Sequence, residues 1–339
     1  MSRNRISCLR IAPILAAALA LPAAVHATEN AGSVYPIGAE TVMPGVTPPG
    51  HGTMLVEFSL FYEANELMNS AGDSAAPEFK VRVVANAVKI VHNWDFPVFG
   101  GRLNSNIAVP TIYEKLHVSP GDYSKTGIGN VILGLFQVGY QKNSLHWYYE
   151  GDVYLPGAPY TKGDVVNTGQ HNYAAAPVAA FTYLPHGGEW EVSSKYQYIV
   201  NFNDTVTNYR SGNEFTWEYV AMKEVSRNVA IGANGYLYQQ TTNDELNGAI
   251  SGGGNRGRDL TVGPEVRVNL AGHCLVIFKY FRDTLVENKP EGNAFWFEMG
   301  VPLHLGRTVP AVARSAHQGN SKGDCTKLRR SAPLKSEPA

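Results

Sequence analysis

"KNSLHWYYEGDVYLPG", residues 142–157, places polar and apolar side chains at alternating positions. Glu150 and Asp152 lie two residues apart, and Tyr149 and Val153 occupy the other phase. Successive side chains of an extended strand point to opposite faces, so both carboxylates share one face and the apolar groups share the other. A soluble protein would bury the apolar face, whereas a membrane barrel would expose it to lipid and turn the carboxylates inward.

The N-terminus has the features of a secretion signal. Arg3, Arg5 and Arg10 precede the apolar run IAPILAAALALPAAV, and the small residue Ala27 follows shortly after it. A basic start, an apolar middle and a small residue at the cleavage point are typical of a signal peptide. We therefore predict that residues 1–27 direct export and are removed.

Composition and charge exclude several classes of protein. Beyond Ala27 no uninterrupted apolar stretch approaches the roughly 20 residues that a membrane-spanning helix needs. Only Cys274 and Cys325 remain after the signal, too few for a disulfide framework. The net charge is −1, but the basic residues are concentrated in the signal and in the tail 307–339, which leaves an acidic body. An acidic body argues against a nucleic-acid partner.

Alternation with a period of two recurs along the chain and predicts strands rather than helices. The segments with this pattern are 53–63, 79–92, 98–112, 129–141, 145–155, 172–184, 190–202, 213–223, 228–241, 258–270, 273–283 and 293–305. The sequence thus predicts an all-β protein with about twelve antiparallel strands.

The connections between these segments alternate in length. Short links such as KNS, PHGGE, NWDFP (93–97) and KEVS alternate with long polar ones. Short turns at one end and long loops at the other, with an even number of strands, are typical of a bacterial outer-membrane barrel of the up-and-down type. The long connections, expected to be extracellular, are 63–78, 113–128, 156–171, 203–212, 242–257 and 284–292.

This interpretation divides the chain into four parts. Residues 53–306 form the transmembrane barrel, and the signal peptide 1–27 delivers it to the outer membrane of a Gram-negative cell. Residues 28–52 are rich in glycine and proline, and they form either a periplasmic linker or a plug in the barrel mouth. The tail 307–339, rich in serine, proline and basic residues, is expected to be disordered.

The barrel interpretation also assigns charged side chains of the strands to the interior, because lipid cannot satisfy an ion. Acidic and basic residues are mixed, which suggests ion pairs across the lumen. Three aromatic residues of the same phase could supply apolar contacts to a solute. The expected lumen and ligand pathway comprises Glu57, Lys80, Arg82, Arg102, Tyr148, Glu150, Asp152, Tyr154, Glu191, Lys195, Glu214, Glu218, Glu265, Arg267, Lys279, Trp296 and Glu298.

Several segments resemble the meta-pathway phenol-degradation family, which is related to outer-membrane transporters for aromatic compounds and fatty acids. They include GSVYPIGAETVMPGVTPPG (32–50), VHNWDFPVFGG (91–101), GNRGRDLTVGPEVR (254–267) and GNAFWFEMGVPL (292–303), and the similarity spans roughly 31–303. The resemblance implies a barrel that takes up hydrophobic small molecules, with aromatic compounds feeding a catabolic pathway as the expected substrates. Its other partner would be outer-membrane lipid.

Alternative functions remain open at this stage. A general diffusion porin would also have a charged lumen, and a secreted or barrel-embedded hydrolase could use Glu150 and Asp152 as a carboxylate pair. We expect no catalysis, since a charged lumen already explains the pair. The histidines lack metal-ligand spacing and no cofactor motif is expected, so neither a metal nor a cofactor is predicted. The oligomeric state stays undetermined.

Overall fold

The computed structural model describes residues 32–47, 52–270 and 274–303. The predictions for the signal peptide and the C-terminal tail lie outside these residues. The described residues form sixteen strands: β1 (Gly52–Leu67), β2 (Lys80–Val98), β3 (Gly101–Val118), β4 (Gly121–Ile128), β5 (Val131–Lys142), β6 (Leu145–Leu155), β7 (Ala174–Tyr183), β8 (Trp190–Asn201), β9 (Tyr209–Arg210), β10 (Glu214–Ser226), β11 (Val229–Gln240), β12 (Glu245–Leu246), β13 (Ala249–Ile250), β14 (Arg258–Asn269), β15 (Leu275–Glu287) and β16 (Pro290–Pro302).

Twelve of these strands close into one antiparallel barrel. Each wall strand pairs with its neighbours along the chain, and β1 pairs with β16 from Met54↔Pro302 to Leu67↔Pro290. Closure satisfies the backbone hydrogen bonds of both terminal strands, which a wall facing lipid requires. The predicted all-β transmembrane barrel of about twelve strands is confirmed. Within the described residues, no helix is long and apolar enough to cross a membrane.

The opening stretch forms β6, and its two faces separate as a membrane barrel requires. Tyr149 and Val153 are exposed on the outside, at 61% and 37%. Glu150 and Asp152 are buried in the interior, at 8% and 5%. The carboxylates therefore line the inside of the barrel, and the apolar side chains form its outer surface.

The β-hairpins extend further than the sequence predicts at both ends of the barrel. Residues 93–97 were expected to be a turn, but β2 continues to Val98 and the turn lies at Phe99–Gly100. The predicted outer loop 113–128 is instead the end of β3 paired with β4, and the predicted loop 284–292 is a tight turn between β15 and β16. Alternation shows which face a residue lies on but not which residue ends a strand, so the ends of these hairpins do not follow from the sequence pattern.

The remaining long connections fold over the outer end, the end that carries the long loops. Two of them supply the small sheet of β9, β12 and β13. The loop between β6 and β7 approaches β4 through an isolated bridge between Ile128 and Ala158. Single turns of 3-10 helix occur at Pro185–Gly188 and Gly252–Gly254.

A bulge in β5 explains why this strand looks apolar on both faces. The register with β6 shifts between Gly134 and Phe136, so Leu135 and Phe136 are both exposed on the outside. Ile132, before the bulge, is buried in the interior. One extra residue in a strand re-aims the side chains that follow it, which simple alternation cannot reveal.

Candidate functional site: the barrel lumen and its N-terminal segment

Residues 32–47, called the N-terminal segment below, lie within the barrel and are held by side chains of the wall. The hydroxyl of Tyr35 donates to Glu218 Oε1 at 3.0 Å, and the amide of Gly38 donates to the same oxygen at 2.5 Å. Lys279 donates to the carbonyls of Gly38 and Ala39 at 3.0 and 2.9 Å. Buried charges of the wall thus satisfy backbone groups of a segment that has no strand partner of its own.

Glu40 is the central charged residue of the N-terminal segment. Its carboxylate pairs with Lys89 of β2 through one oxygen and with Lys195 of β8 through the other. Burial alone would raise the pKa of Glu40, but the two lysines outweigh it and hold the pKa below its usual range. One carboxylate therefore joins two distant parts of the wall.

The end of the segment is fixed by backbone contacts. The amide of Met43 donates to Glu191 Oε1 at 2.8 Å, and Glu191 also pairs with Arg267. The amide of Gly45 donates to Thr182 Oγ1 at 3.0 Å. A Cβ at Gly45 would lie 2.5 Å from the backbone nitrogen of Thr182 and 2.6 Å from the carbonyl oxygen of His146, so a side chain is excluded. Glycine is needed because the segment lies against the backbone of the wall.

A cavity of about 300 Å³ remains between the start of the N-terminal segment and the wall. Most of its lining is apolar and comes from β1, β2, β3 and β5. The apolar side chains of these strands are Phe58, Leu60, Val83, Ala85, Ala87, Ala108, Pro110, Ile112 and Ile132. Its charged lining residues are the paired Glu40 and Lys89, together with Asp152 and Glu114. The site can hold a small apolar molecule with a limited number of polar contacts.

The carboxylate pair of β6 is engaged in hydrogen bonds with its neighbours. Asn106 donates to Glu150 Oε1 at 2.5 Å and Gln137 donates to Glu150 Oε2 at 3.1 Å. The Tyr154 hydroxyl donates to Asp152 Oδ2 at 3.5 Å. These contacts cross-link β3, β5 and β6 inside the barrel.

Most of the residues expected in the lumen are buried inside the barrel. They are Tyr148, Glu150, Asp152, Tyr154, Glu191, Lys195, Glu214, Glu218, Glu265, Arg267, Lys279, Trp296 and Glu298. Many of these hold the N-terminal segment instead of lining an open pore. Among the three aromatic residues, Trp296 lines the cavity, whereas Tyr148 and Tyr154 pack in a cluster with Val34 and Tyr35.

The lumen assignment is corrected for Glu57, Lys80 and Arg82, which the structure places on the outer face. Glu63 pairs there with Lys80 at 2.9 Å and with Arg82 at 3.3 Å. Lys80 and Arg82 lie at the start of β2, at the outer end of the barrel.

Glu57 follows the same outward phase on β1. Ser59 donates to Glu57 at 2.5 Å and Asn86 also donates to this carboxylate, so polar neighbours satisfy it on the outer face. The alternate phase of β1 carries Phe58 and Leu60, which line the cavity. Arg102 shares the phase of the buried Asn104 and is exposed beside the β2–β3 turn, so its assignment to the lumen stays a prediction. The rule that charged side chains of the strands face inward fails for Glu57, Lys80 and Arg82, because this part of the lumen is apolar.

Sequence reasoning missed Glu40, Lys89, Glu114 and the small apolar residues of β2 and β3. Val83, Ala85 and Ala87 share one face of β2 with Lys89, and the register across this stretch is continuous. This shared phase could have indicated from the sequence that Lys89 lies on the same face of β2 as the cavity-lining residues. Nothing in the spacing around Glu40 indicates two lysine partners, since the contacts join residues far apart in sequence. Among the described residues, no group of three or more His, Cys, Asp or Glu side chains could hold a metal ion.

Solved structures resemble this chain to different degrees. An outer membrane channel of Pseudomonas putida F1, described as COG4313, superposes with a TM-score of 0.66 at 13% identity, covering 76% of this chain and 97% of the channel. A FadL homologue of Pseudomonas aeruginosa is more distant, with a TM-score of 0.38 at 9% identity over 83% of this chain and 96% of the homologue. The translocator domain of the Neisseria meningitidis autotransporter NalP gives 0.43 at 11% identity, with coverages of 76% and 90%.

No curated protein sequence matches the chain. A family model does match it, across residues 64–299, which include all wall strands from the end of β1 into β16. The chain therefore belongs to the family described as "Putative MetA-pathway of phenol degradation".

Proposed function

We propose that this protein is an outer-membrane channel for the uptake of hydrophobic small molecules and that aromatic compounds are its substrates. The observation that carries the proposal is the apolar cavity of about 300 Å³ between the N-terminal segment and the barrel wall. A cavity lined by Val83, Ala85 and Ile112 favours an apolar solute over an ion. Membership of a phenol-degradation family supports aromatic compounds as the substrate class.

The cavity suits transport because its binding is non-directional. Its volume lies at the lower end of the range of small-molecule pockets, roughly 300–1,000 Å³, which fits one or two aromatic rings. Apolar contacts discriminate weakly between molecules of similar shape, so several related compounds could be accepted. Weak binding also permits release, which a transporter needs.

The N-terminal segment distinguishes this proposal from a general porin. Its contacts with Glu218, Lys279 and Lys195 fill a lumen that an open porin would leave to water. We infer that the segment acts as a plug that restricts ions while it forms one side of the apolar cavity. The buried carboxylates of β6 have a structural role, because their hydrogen bonds cross-link strands inside the barrel.

A matched pair of variants on β2 tests the proposal. Ala85 lines the cavity, and its neighbour Val84 is exposed on the outer face. Ala85→Phe should fill the cavity and slow the entry of labelled toluene or phenol into intact cells, whereas Val84→Phe should leave entry unchanged. Both variants should migrate faster unheated than heated on a denaturing gel, as folded barrels do.

Cells that lack the protein complete the experiment. Their uptake of low concentrations of these aromatic compounds should be slower, and growth on a sugar should be unaffected. Equal entry with and without the protein, together with a large ion conductance in planar bilayers, would instead indicate a general diffusion porin.

A further inference from the structure

Glu114 is a charged residue of the cavity that the proposed transport does not explain. It lies on β3 in phase with Ala108, Pro110 and Ile112, and its side chain is part of the cavity lining. Across the strands it faces Val83 of β2. A carboxylate thus lies in a predominantly apolar cavity, where an ionised group is unfavourable unless something pairs with it.

Within the described residues, Glu114 has no hydrogen bond or ion pair from its side chain. Its cross-strand neighbour on β4 is Lys125, the natural partner by register. The three contacts of the Lys125 ammonium go elsewhere: to Thr161 Oγ1 at 3.2 Å, to Asp164 Oδ2 at 2.8 Å and to Asn167 Oδ1 at 2.7 Å. An ammonium has three donors, so none is left for Glu114.

The other charged lining residues already have partners. Lys89 and Glu40 pair with each other, and Asp152 accepts a hydrogen bond from Tyr154 through Oδ2, while its Oδ1 has no partner. Among the charged lining residues in the described part of the chain, Glu114 is the one whose carboxylate has no partner at either oxygen. Glu114 is half-buried, and an unpartnered carboxylate beside apolar side chains requires a specific explanation.

We propose that Glu114 recognises a hydrogen-bond donor on an otherwise apolar ligand, so that the preferred solute is an aromatic compound with a hydroxyl or amino group. The ring would occupy the apolar part of the cavity, near Val83 and Ile112, and the donor would reach the carboxylate. This inference rests on the proposed transport of aromatic compounds and narrows it to a chemical class. A plain hydrocarbon would enter the same cavity but leave Glu114 unpaired.

Three fluorescent probes with one ring system test the proposal: naphthalene, 2-naphthol and 2-naphthylmethylamine. Their equilibrium binding would be measured on the full-length protein in lipid nanodiscs, with empty nanodiscs subtracted. We expect wild-type protein to bind at least one donor-bearing probe about tenfold more tightly than naphthalene, as a hydrogen bond to a charged group allows. Comparing the affinities of 2-naphthol and 2-naphthylmethylamine shows whether a neutral hydroxyl or an ammonium is the preferred donor.

Variants at Glu114 separate recognition from general affinity. Glu114→Leu should bring all three affinities together while naphthalene binding is kept or improved. Glu114→Gln should selectively weaken the ammonium, because the amide keeps an acceptor but loses the charge. Glu63→Gln is the control, since Glu63 pairs with Lys80 and Arg82 on the outer face.

The outcomes bear differently on the two proposals. If naphthalene binds but donor-bearing probes show no advantage, or if the advantage survives in Glu114→Leu, the role of Glu114 is refuted and the transport proposal stands. If no probe binds wild-type protein above empty nanodiscs, the apolar-uptake proposal fails, and the Glu114 inference fails with it.

Discussion

At the residue scale, the attachment of the N-terminal segment depends on Glu40 and its two lysines. The side chains of Lys195 and Lys89 are 2% and 12% exposed, so loss of the carboxylate would leave two buried positive charges without their partner. Because the lysines lower the pKa of Glu40, its ionised form stabilises the attached segment. That stabilisation is present above the ordinary value of 4.5 and is lost as the pH falls through the lowered pKa.

We therefore expect the ion conductance of wild-type protein in planar bilayers to stay low from neutral pH to pH 4.5 and to rise only under more acidic conditions. Glu40→Gln should conduct more already at neutral pH, with a weaker response to acid. Glu63→Gln, on the outer face, should behave like wild type. An acid response that is identical in wild type and Glu40→Gln would assign the titration to another group.

At the scale of the element, β6 shows how one strand serves two environments. Its outward residues Tyr149 and Val153 are exposed, and its inward residues Glu150 and Asp152 are buried. Replacing Val153 with Arg should destabilise the folded barrel by about 2–4 kcal/mol if the position lies near the bilayer midplane. Glu150→Gln should have a smaller effect, since the amide oxygen can still accept a hydrogen bond inside the barrel. Urea unfolding in lipid vesicles measures both.

Labelling provides an independent check of the faces of β6. A fluorophore attached to a cysteine at position 153 should be quenched by a lipid-soluble quencher, and one at position 150 should be protected. Stronger quenching at 150 would mean that the two faces are reversed. The same alternation does not identify strand ends, because β3 and β15 both continue into segments expected to be loops.

At the scale of the whole molecule, the N-terminal segment forms one side of a cavity inside the closed barrel. Deleting 32–47 should remove one side of that cavity along with the contacts to Glu218 and Lys279. We expect the deletion to raise ion conductance and to abolish saturable binding of apolar probes, while the barrel still migrates as a folded species on an unheated gel. The matched control replaces 32–47 with a glycine–serine segment of equal length, which keeps the chain length but removes the side chains.

The glycine–serine control should resemble the deletion in probe binding, because it lacks Glu40, Tyr35 and the apolar residues near them. If the deletion left conductance at the wild-type level, another part of the molecule would have to close the lumen. The outer loops would then be the next candidates, since β9, β12 and β13 form a small sheet there.

The sequence by itself determined the class of fold and the inside and outside of most wall strands. Period-two alternation is a local property of the sequence. Because lipid and the barrel interior differ greatly in polarity, the alternation is unambiguous in β6 and β8. The even strand number also follows from local reading, whereas the predicted sorting of connection lengths is wrong for 284–292, which is a tight turn. These features predicted a twelve-strand barrel, and the inward positions of Glu191, Lys195 and Glu218 agree with the same alternation.

Only the tertiary structure decided what the interior contains. The ion pairs of Glu40 link residues 49 and 155 positions apart in sequence, and no local pattern encodes such contacts. The apolar face of β2 lines a cavity only because the barrel closes and the N-terminal segment returns into it. With that face turned inward, Lys80 and Arg82 lie on the outer face. Alternation tells which residues share a face, but closure and the long-range placement of a strandless segment determine what that face contacts.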